Sequence, residues 1–268
     1  MNSAGSRARI LAITSGKGGV GKTFVAANLA AALTKRGRRV LVLDADLGLA
    51  NLDIILNLYP KATLHDVMSG KCGIKDIVLA APGGFWILPA ASGLVEYSRL
   101  TGNVQDELRQ IIDDLSRQYD YLLLDTGAGI SDLVLYTASL AKEVLVVATP
   151  EPASIADAYA TIKVLAMMQQ RTSLKLVFNQ ARDANECQKL TIQLQQVVDR
   201  FVNVQVQNAV KIEYLGYIPS DPAVSAAARK RLLLFVGSPE APASKSVAAL
   251  AQALDAPMKA RATSMASG

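Results

Sequence analysis

Residues 16–23 read Gly-Lys-Gly-Gly-Val-Gly-Lys-Thr, and this segment constrains the fold more than any other part of the chain. The apolar run 10–14 before it is typical of a buried strand, and residues 24–34 after it carry Ala and Leu at helical spacing. A strand, a glycine-rich turn and a helix in this order bring unpaired backbone N–H groups and the positive end of the helix dipole to one point. The pattern G-x-x-x-x-G-K-S/T therefore predicts a phosphate-binding loop between the strand and the helix.

Each part of this loop has an expected role. Its four glycines let the backbone bend and approach an anion closely. Lys22 is expected to reach the β- and γ-phosphates, and the hydroxyl of Thr23 is expected to bind Mg²⁺. The residues predicted to contact a nucleoside triphosphate here are Gly16, Lys17, Gly18, Gly19, Val20, Gly21, Lys22 and Thr23.

The composition indicates a globular protein with a large core. Of the 268 residues 51% are hydrophobic and 19% are charged, and the mean hydropathy is +0.25, which excludes a disordered chain. No apolar run reaches the roughly 18 residues of a membrane-spanning helix. The two cysteines, Cys72 and Cys187, lie far apart and are expected to be reduced thiols. A net charge of +5 allows an acidic partner without requiring one.

Strands alternate with helices along the chain. Continuous apolar runs typical of buried parallel strands lie at 10–15, 39–44, 86–90, 121–125, 143–148, 174–178 and 214–218. Apolar residues at helical spacing predict intervening helices, and two final helices at 222–235 and 245–254. This alternation predicts one α/β domain over residues 10–254, a mostly parallel sheet with helices on both faces, between a disordered leader at 1–9 and a disordered tail at 255–268.

Acidic residues follow two of the predicted strands. Ligands of such sheets bind outside the carboxyl ends of the strands, where these acids lie. Asp125 ends the run 121–125 and is predicted to hold Mg²⁺; capping the next helix is the alternative. Asp44 and Asp46 leave the second strand two positions apart, so both carboxylates point the same way in extended backbone. The three acids are expected to surround the phosphates.

Lys17 makes the loop resemble the deviant P-loop of the MinD/ParA family of ATPases, in which an extra lysine crosses a dimer interface to the partner's phosphates. The resemblance implies a P-loop NTPase fold and a homodimer in the ATP-bound state. It also implies that Lys17 and Lys22 act in hydrolysis, that Asp46 positions the attacking water, and that Asp44 supports Mg²⁺ or the loop. The alternative is that Lys17 is a solvated loop lysine.

The residues that follow strand 174–178 indicate which base the bound nucleotide carries. Related GTPases usually have Asn-Lys-x-Asp at this place, whereas this chain has Asn179-Gln-Ala-Arg182, and Arg182 has no acceptor for guanine. Asn179 can donate to and accept from adenine, although it is also a common turn residue. Pro219 and Asp221 resemble the adenine-side loop of the family. The resemblance thus implies ATP and ADP, with Mg²⁺, as the cofactors.

Two further segments have two readings each. Glu151, Ser154 and Asp157 resemble a MinD-type segment near the dimer interface, but Ser154 is also suited to helix capping. Residues 229–236, Arg-Lys-Arg-Leu-Leu-Leu-Phe-Val, are basic and then apolar. They are suited to contact with anionic lipid or nucleic acid, but a helix with one solvated and one buried end is the favoured interpretation.

Longer stretches resemble the FlhG/FleN subgroup of flagellar-number regulators. They are residues 47–51, 63–67, 88–93 and 152–159. The resemblance implies an ATPase that controls flagellar number or placement, located in the cytoplasm or at the inner face of the cell membrane, with flagellar assembly or regulatory proteins as partners.

Two features of that subgroup are not matched by the ends of this sequence. Residues 1–9 lack the Asp-Gln-Ala segment that stimulates the flagellar GTPase FlhF, and residues 255–268 lack an aromatic membrane helix. Neither FlhF activation nor membrane cycling is therefore carried over. Nucleic acid is not expected as a partner, but a DNA-binding partition ATPase, a MinD-type division regulator and a metabolic P-loop enzyme remain open.

Overall fold

The computed structural model describes residues 7–46, 52–89 and 102–256. The strands within these ranges are β1 Arg9–Ser15, β2 Val40–Ala45, β3 Leu79–Ala80, β4 Trp86–Leu88, β5 Tyr121–Ala128, β6 Glu143–Ala148, β7 Ser173–Ala181 and β8 Lys211–Pro219. The helices are α1 Lys22–Lys35, α2 Leu52–Ile55, α3 Leu64–Met68, α4 Ile74–Ile77, α5 Gly102–Ser116, α6 Asp132–Ser139, α7 Pro152–Gln169, α8 Ala184–Phe201, α9 Pro222–Arg229, α10 Leu234–Gly237 and α11 Pro242–Asp255.

The strands form one sheet in the order β3-β4-β2-β5-β1-β6-β7-β8. All neighbouring strands are parallel except β3 and β4, which are antiparallel. The carboxyl ends of β2, β5 and β1 therefore meet at one edge, where Asp44 is in register with Asp125, and Asp125 with Ile13. This topology places the acids that follow β2 and β5 beside the turn that follows β1.

The core consists of two clusters, one on each face of the sheet. One cluster contains the buried residues of α5 to α8, and the other contains those of α1, α10 and α11. Every residue of β2 is buried, because helices cover both faces. The prediction of a single α/β domain with a mostly parallel sheet and helices on both faces is confirmed.

The folded unit extends slightly beyond its predicted limits. Arg9 lies in β1, where its guanidinium pairs with Glu143 and donates to the Leu254 carbonyl. Asp255 ends α11 and accepts from Arg38 at 2.7 Å. The prediction that these two residues belong to the leader and the tail is therefore wrong. Residues 1–6 and 257–268, for which disorder is also predicted, lie outside the described ranges.

The prediction of one helix over 222–235 is wrong. The helix α9 ends at Arg229, Arg231 has a left-handed φ of 52°, and the short α10 begins at Leu234. The elements α2, α4 and β3 are too short for a periodic signal and were not predicted. Within the described part of the chain, no helix is both long enough and apolar enough to span a membrane.

Candidate nucleotide-binding site

The turn between β1 and α1 is confined on two sides and open on a third. A Cβ built on Gly16 would lie 2.3 Å from the Asp157 carbonyl oxygen of α7, and one built on Gly21 would lie 2.2 Å from Asn179 Nδ2. Gly19 and Gly21 have φ of +81° and +90°, which glycine adopts without steric cost. A Cβ on Gly18 or Gly19 would have no atom within 4 Å. The backbone there faces open space, as a phosphate-binding loop requires.

The amino end of α1 is open to an anion. Its N-cap is Gly21, which makes no side-chain capping bond, and the first turn of the helix contains no acid. The N–H groups of that turn point out of the helix, where the dipole is positive. Val20, 2% exposed, anchors the loop in the core directly before this point.

Lys22, Thr23 and Asp125 form a buried cluster beside the open turn. Lys22 Nζ lies 3.1 Å from Asp125 Oδ1, and the two side chains are 10% and 2% exposed. Burial raises the pKa of the Asp125 carboxyl, while the charge of Lys22 and a hydrogen bond from the Thr23 hydroxyl act to lower it. A hydroxyl and a carboxylate held together are oxygen donors that fit Mg²⁺, so the predicted metal roles of Thr23 and Asp125 agree with the residues' chemistry.

Asp44 organises the backbone that follows β2. It is 2% exposed, its Oδ1 accepts from the Asp46 N–H at 3.2 Å, and its Oδ2 accepts from the Leu52 N–H at 3.1 Å. Residues 47–51, which carry part of the FlhG/FleN resemblance, lie outside the described ranges. Of the two predicted roles of Asp44, support of the loop matches these contacts, and the metal role stays a prediction.

Asp46 approaches the end of β5. A Cβ on Gly127 would lie 3.6 Å from the Asp46 carboxylate and 3.3 Å from Val134. The Asp46 carboxylate therefore lies beside Gly127 and close to Asp125, whose pKa it acts to raise. The structure brings Asp46 to the predicted site; its role in positioning water stays a prediction.

Lys17 is held away from the cluster of Lys22 and Asp125. Its Nζ lies 3.1 Å from Glu151 Oε2, directly before α7, and both side chains are partly exposed. Ser15 fixes the backbone of Lys17 by donating to its carbonyl at 2.9 Å. Sequence reasoning missed Ser15, because a buried serine at a strand end has no distinctive spacing. Ser154 Oγ accepts from the Thr149 N–H at 2.9 Å, so it stabilises the turn before α7.

Asn179 contacts the phosphate-binding loop itself. The residue is 5% exposed, and Nδ2 donates to the Val20 carbonyl at 2.8 Å. With Nδ2 committed to the loop, Oδ1 is the remaining acceptor of this side chain. Asn179 is therefore a structural tie between β7 and the loop, and its contact with adenine stays a prediction.

Asp221 has a structural role at the predicted adenine-side loop. Its Oδ1 accepts from the Ala223 N–H at 2.8 Å and its Oδ2 from the Ala243 N–H at 3.0 Å, which joins the amino ends of α9 and α11. Pro219 ends β8, and the next N–H, of Ser220, donates to the Ala181 carbonyl at 2.9 Å. The loop is thereby attached to β7, and its contacts with a base stay predictions.

The cysteines are free thiols in separate places, as predicted. Cys187 of α8 is fully buried, and burial raises its pKa to about 11. Cys72 lies between α3 and α4. Among the described residues no group of three or more His, Cys, Asp and Glu is placed to hold a metal ion by itself.

The ParA family model, described as NUBPL iron-transfer P-loop NTPase, matches residues 6–255. The chain belongs to this family of P-loop NTPases. It is 44% identical over 247 residues to the antiactivator FleN of Pseudomonas aeruginosa, covering 92% of this chain and 86% of FleN. It is 33% identical over 230 residues to the flagellum site-determining protein YlxH of Helicobacter pylori, covering 84% of this chain and 74% of YlxH.

Solved MinD structures have the same fold. The cell division ATPase MinD of Pyrococcus furiosus matches with a TM-score of 0.74 at 27% identity, over 92% of this chain and 98% of that one. The septum site-determining protein MinD of Pyrococcus horikoshii, complexed with Mg-ADP, matches with a TM-score of 0.73 at 26% identity, over 93% of this chain and 96% of that one. The resemblance to the MinD/ParA family and to FlhG/FleN is confirmed, as is the prediction that the chain is an enzyme of the ATPase class.

Proposed function

We propose that this protein is an ATP-dependent dimerising switch that hydrolyses ATP slowly and regulates flagellar number or placement. The observation that carries the proposal is the separation of two lysines in one loop. Lys22 lies in the buried cluster with Asp125, where it can serve the phosphates of its own protomer. Lys17 pairs instead with Glu151, whose side chain is 69% exposed, and in the proposed dimer its ammonium group would be exchanged to the second protomer.

The described side chains divide the work of hydrolysis among them. The loop backbone and the amino end of α1 bind the phosphates, and Lys22 neutralises their charge. Thr23 and Asp125 would hold Mg²⁺, which when bound supplies further charge neutralisation. Asp46 beside Gly127 orients the attacking water, while Asp44 keeps the Asp46 backbone in place. Positioning and charge neutralisation are what phosphoryl transfer mainly requires, and slow turnover suits a switch.

The pair of Lys17 and Glu151 couples dimerisation to the nucleotide. A partly exposed ion pair of this kind contributes only about 0–1 kcal/mol, so it is easily exchanged for a stronger one. The triphosphate of a second protomer carries more negative charge than a single carboxylate and competes better for the Lys17 ammonium. ATP therefore favours the dimer, and hydrolysis removes the preference.

The switch is tested by the solution mass, measured by analytical ultracentrifugation with ADP and with a non-hydrolysable ATP analogue. The wild type is expected to be a monomer with ADP and a dimer with the analogue. Lys17→Ala is expected to stay monomeric with both, whereas Glu151→Gln, which frees Lys17, is expected to dimerise at a lower protein concentration. Lys71→Ala removes an exposed lysine that also has a carboxylate partner, Asp66, and serves as the matched control. A wild-type monomer with the analogue contradicts the switch.

The flagellar role rests on the identity to YlxH, a flagellum site-determining protein, and on the resemblance to the FlhG/FleN subgroup, to which the 44% identity to FleN corresponds. Expressing this chain in a P. aeruginosa strain that lacks FleN is expected to restore the wild-type number of flagella, counted by electron microscopy. The Asp46→Asn and Lys17→Ala variants serve as controls for a role that depends on the ATP cycle. An unchanged flagellar number, together with ATP-dependent and salt-sensitive binding to arbitrary DNA, would instead favour a partition ATPase.

A further inference from the structure

The turn after α9 exposes three consecutive cations, Arg229, Lys230 and Arg231. It is a fixed turn: the N–H groups of Lys230 and Leu232 both donate to the Ala227 carbonyl, at 3.1 and 3.0 Å, and Arg231 has a φ of 52°. In the part of the chain that the structure describes, none of the three cations has a carboxylate partner. Their charge is therefore presented to the surroundings without compensation.

The same turn presents two large aliphatic side chains to solvent. Leu233, Leu234 and Phe235 are buried, and the Phe235 N–H donates to Asn28 Oδ1 at 2.9 Å, which fixes the segment on α1. Leu232 and Val236, at the two ends of this buried triplet, are 53% and 51% exposed. The chain leaves the helical path at Arg231, between the end of α9 and the start of α10. This break determines that Leu232 and Val236 face solvent while the three residues between them are buried.

Neighbouring elements extend this patch. A Cβ on Gly83 would lie 3.2 Å from Val236, and Lys35 Nζ, which also has no carboxylate partner among the described residues, lies 5.6 Å from the Phe235 ring centre. Of the acids nearest in sequence, Asp221 accepts from two backbone N–H groups and Glu240 is paired with Lys245. The basic-apolar surface thus consists of Lys35, Gly83, Arg229, Lys230, Arg231, Leu232 and Val236.

This surface is remote from the nucleotide site. Helix α1 begins at the phosphate-binding loop and ends at Lys35, so its 14 residues, about 21 Å, separate the two places. Gly83 precedes β4 and hence lies at the amino edge of the parallel strands, opposite the edge with the acids. The surface is complete within one protomer and leaves the nucleotide face free.

We propose that the basic-apolar surface binds the surface of an anionic lipid bilayer. Unpaired cations are attracted to anionic headgroups, and exposed aliphatic side chains enter the boundary between headgroups and acyl chains. Nucleic acid would use the cations, but it offers no comparable site for Leu232 and Val236. Because the surface lies within one protomer, binding does not require ATP.

The test is sedimentation of the ADP-bound full chain with vesicles of phosphatidylcholine alone or with phosphatidylglycerol added. Binding is expected only with phosphatidylglycerol, and it is expected to weaken with salt. The charge variant Arg229→Gln, Lys230→Gln, Arg231→Asn retains a residue that tolerates the left-handed φ at 231. It is expected to bind at least tenfold more weakly, as is the apolar variant Leu232→Ser, Val236→Ser.

A matched control removes the same charge elsewhere. Lys189→Gln, Arg200→Gln, Lys211→Gln neutralises three exposed cations on or beside α8, which packs on the opposite face of the sheet. This control is expected to bind as the wild type does. The proposal is overturned if the wild-type protein does not bind phosphatidylglycerol vesicles. It is also overturned if the control variant loses as much vesicle affinity as the charge variant does. Tight binding to duplex DNA that the apolar variant retains in full, without vesicle binding, would identify a nucleic-acid surface instead.

Discussion

Replacing Lys22 by Met is expected to lower kcat/KM for ATP hydrolysis by about 10²–10³-fold, the loss typical of removing one preorganised charge-stabilising group. The phosphate-binding loop is otherwise unchanged in this variant, so the loss measures the contribution of one ammonium group. The measurement is steady-state phosphate release at saturating and limiting ATP. Lys71→Met, at a surface ion pair with Asp66, is expected to have no effect. Retention of more than half the activity would contradict the role given to Lys22.

The same variant is expected to be less stable. Asp125 is 2% exposed and loses the cation that lies 3.1 Å from it, which typically costs about 3–5 kcal/mol when the remaining charge stays buried. Adding Asp125→Asn removes that charge and is expected to recover most of the stability while the activity stays lost. Urea unfolding of both variants measures the difference. Equal stability of the single and double variants would show that Asp125 does not depend on Lys22.

Asp46→Asn is expected to lower the hydrolysis rate by about 10²-fold or more with little change in ATP affinity, because the attacking water loses its orienting carboxylate. The ATP-bound dimer is then expected to accumulate. Asp44→Asn is the informative comparison, since Asp44 holds the N–H groups of Asp46 and Leu52. It is expected to reduce stability and to slow hydrolysis less.

Single-turnover hydrolysis and nucleotide titration separate the two acids. The division of roles between Asp44 and Asp46 is incorrect if Asp46→Asn hydrolyses ATP at the wild-type rate. It is also incorrect if the two variants have the same hydrolysis rate and the same nucleotide affinity.

Much of the site could be predicted because its residues occur in short local patterns. The loop motif determines the strand, the turn and the helix, and the carboxyl ends of parallel strands meet at one edge, so Asp44, Asp46 and Asp125 had to lie near the loop. The sheet was predictable for a similar reason, since strands buried on both faces read as continuous apolar runs.

Other features depend on contacts between distant segments. The pairing of Lys17 with Glu151 and the bond from Asn179 to Val20 join residues over 100 positions apart, and nothing in local spacing specifies them. The break at Arg231 places a non-glycine residue in the left-handed region, which sequence periodicity does not reveal. The charge and apolar pattern of residues 229–236 was visible, but which of its side chains are exposed was not.

In the proposed dimer Lys17 acts on the nucleotide of the partner protomer, and a mixture of two inactive variants shows whether it does. Lys17→Ala retains Asp46, and Asp46→Asn retains Lys17. In a mixed dimer the first protomer has its own Asp46 and receives Lys17 from the second, so one of the two sites is complete. Each variant alone lacks one of the two groups at every site.

The measurement is the rate of ATP hydrolysis by an equimolar mixture, compared with each variant alone. The mixture is expected to hydrolyse ATP faster than the average of the two variants, at up to about one quarter of the wild-type rate. One quarter is the value for random pairing, in which half of the protomers are in mixed dimers and half of those sites are complete. Because Lys17→Ala dimerises weakly and Asp46→Asn also pairs with itself, the rate is expected to rise towards that value as the proportion of Lys17→Ala and the protein concentration are raised. If Lys17 serves only the phosphates of its own protomer, every site in the mixture lacks a catalytic group. A mixture no faster than the average of the two variants measured separately would show that Lys17 does not act across the dimer.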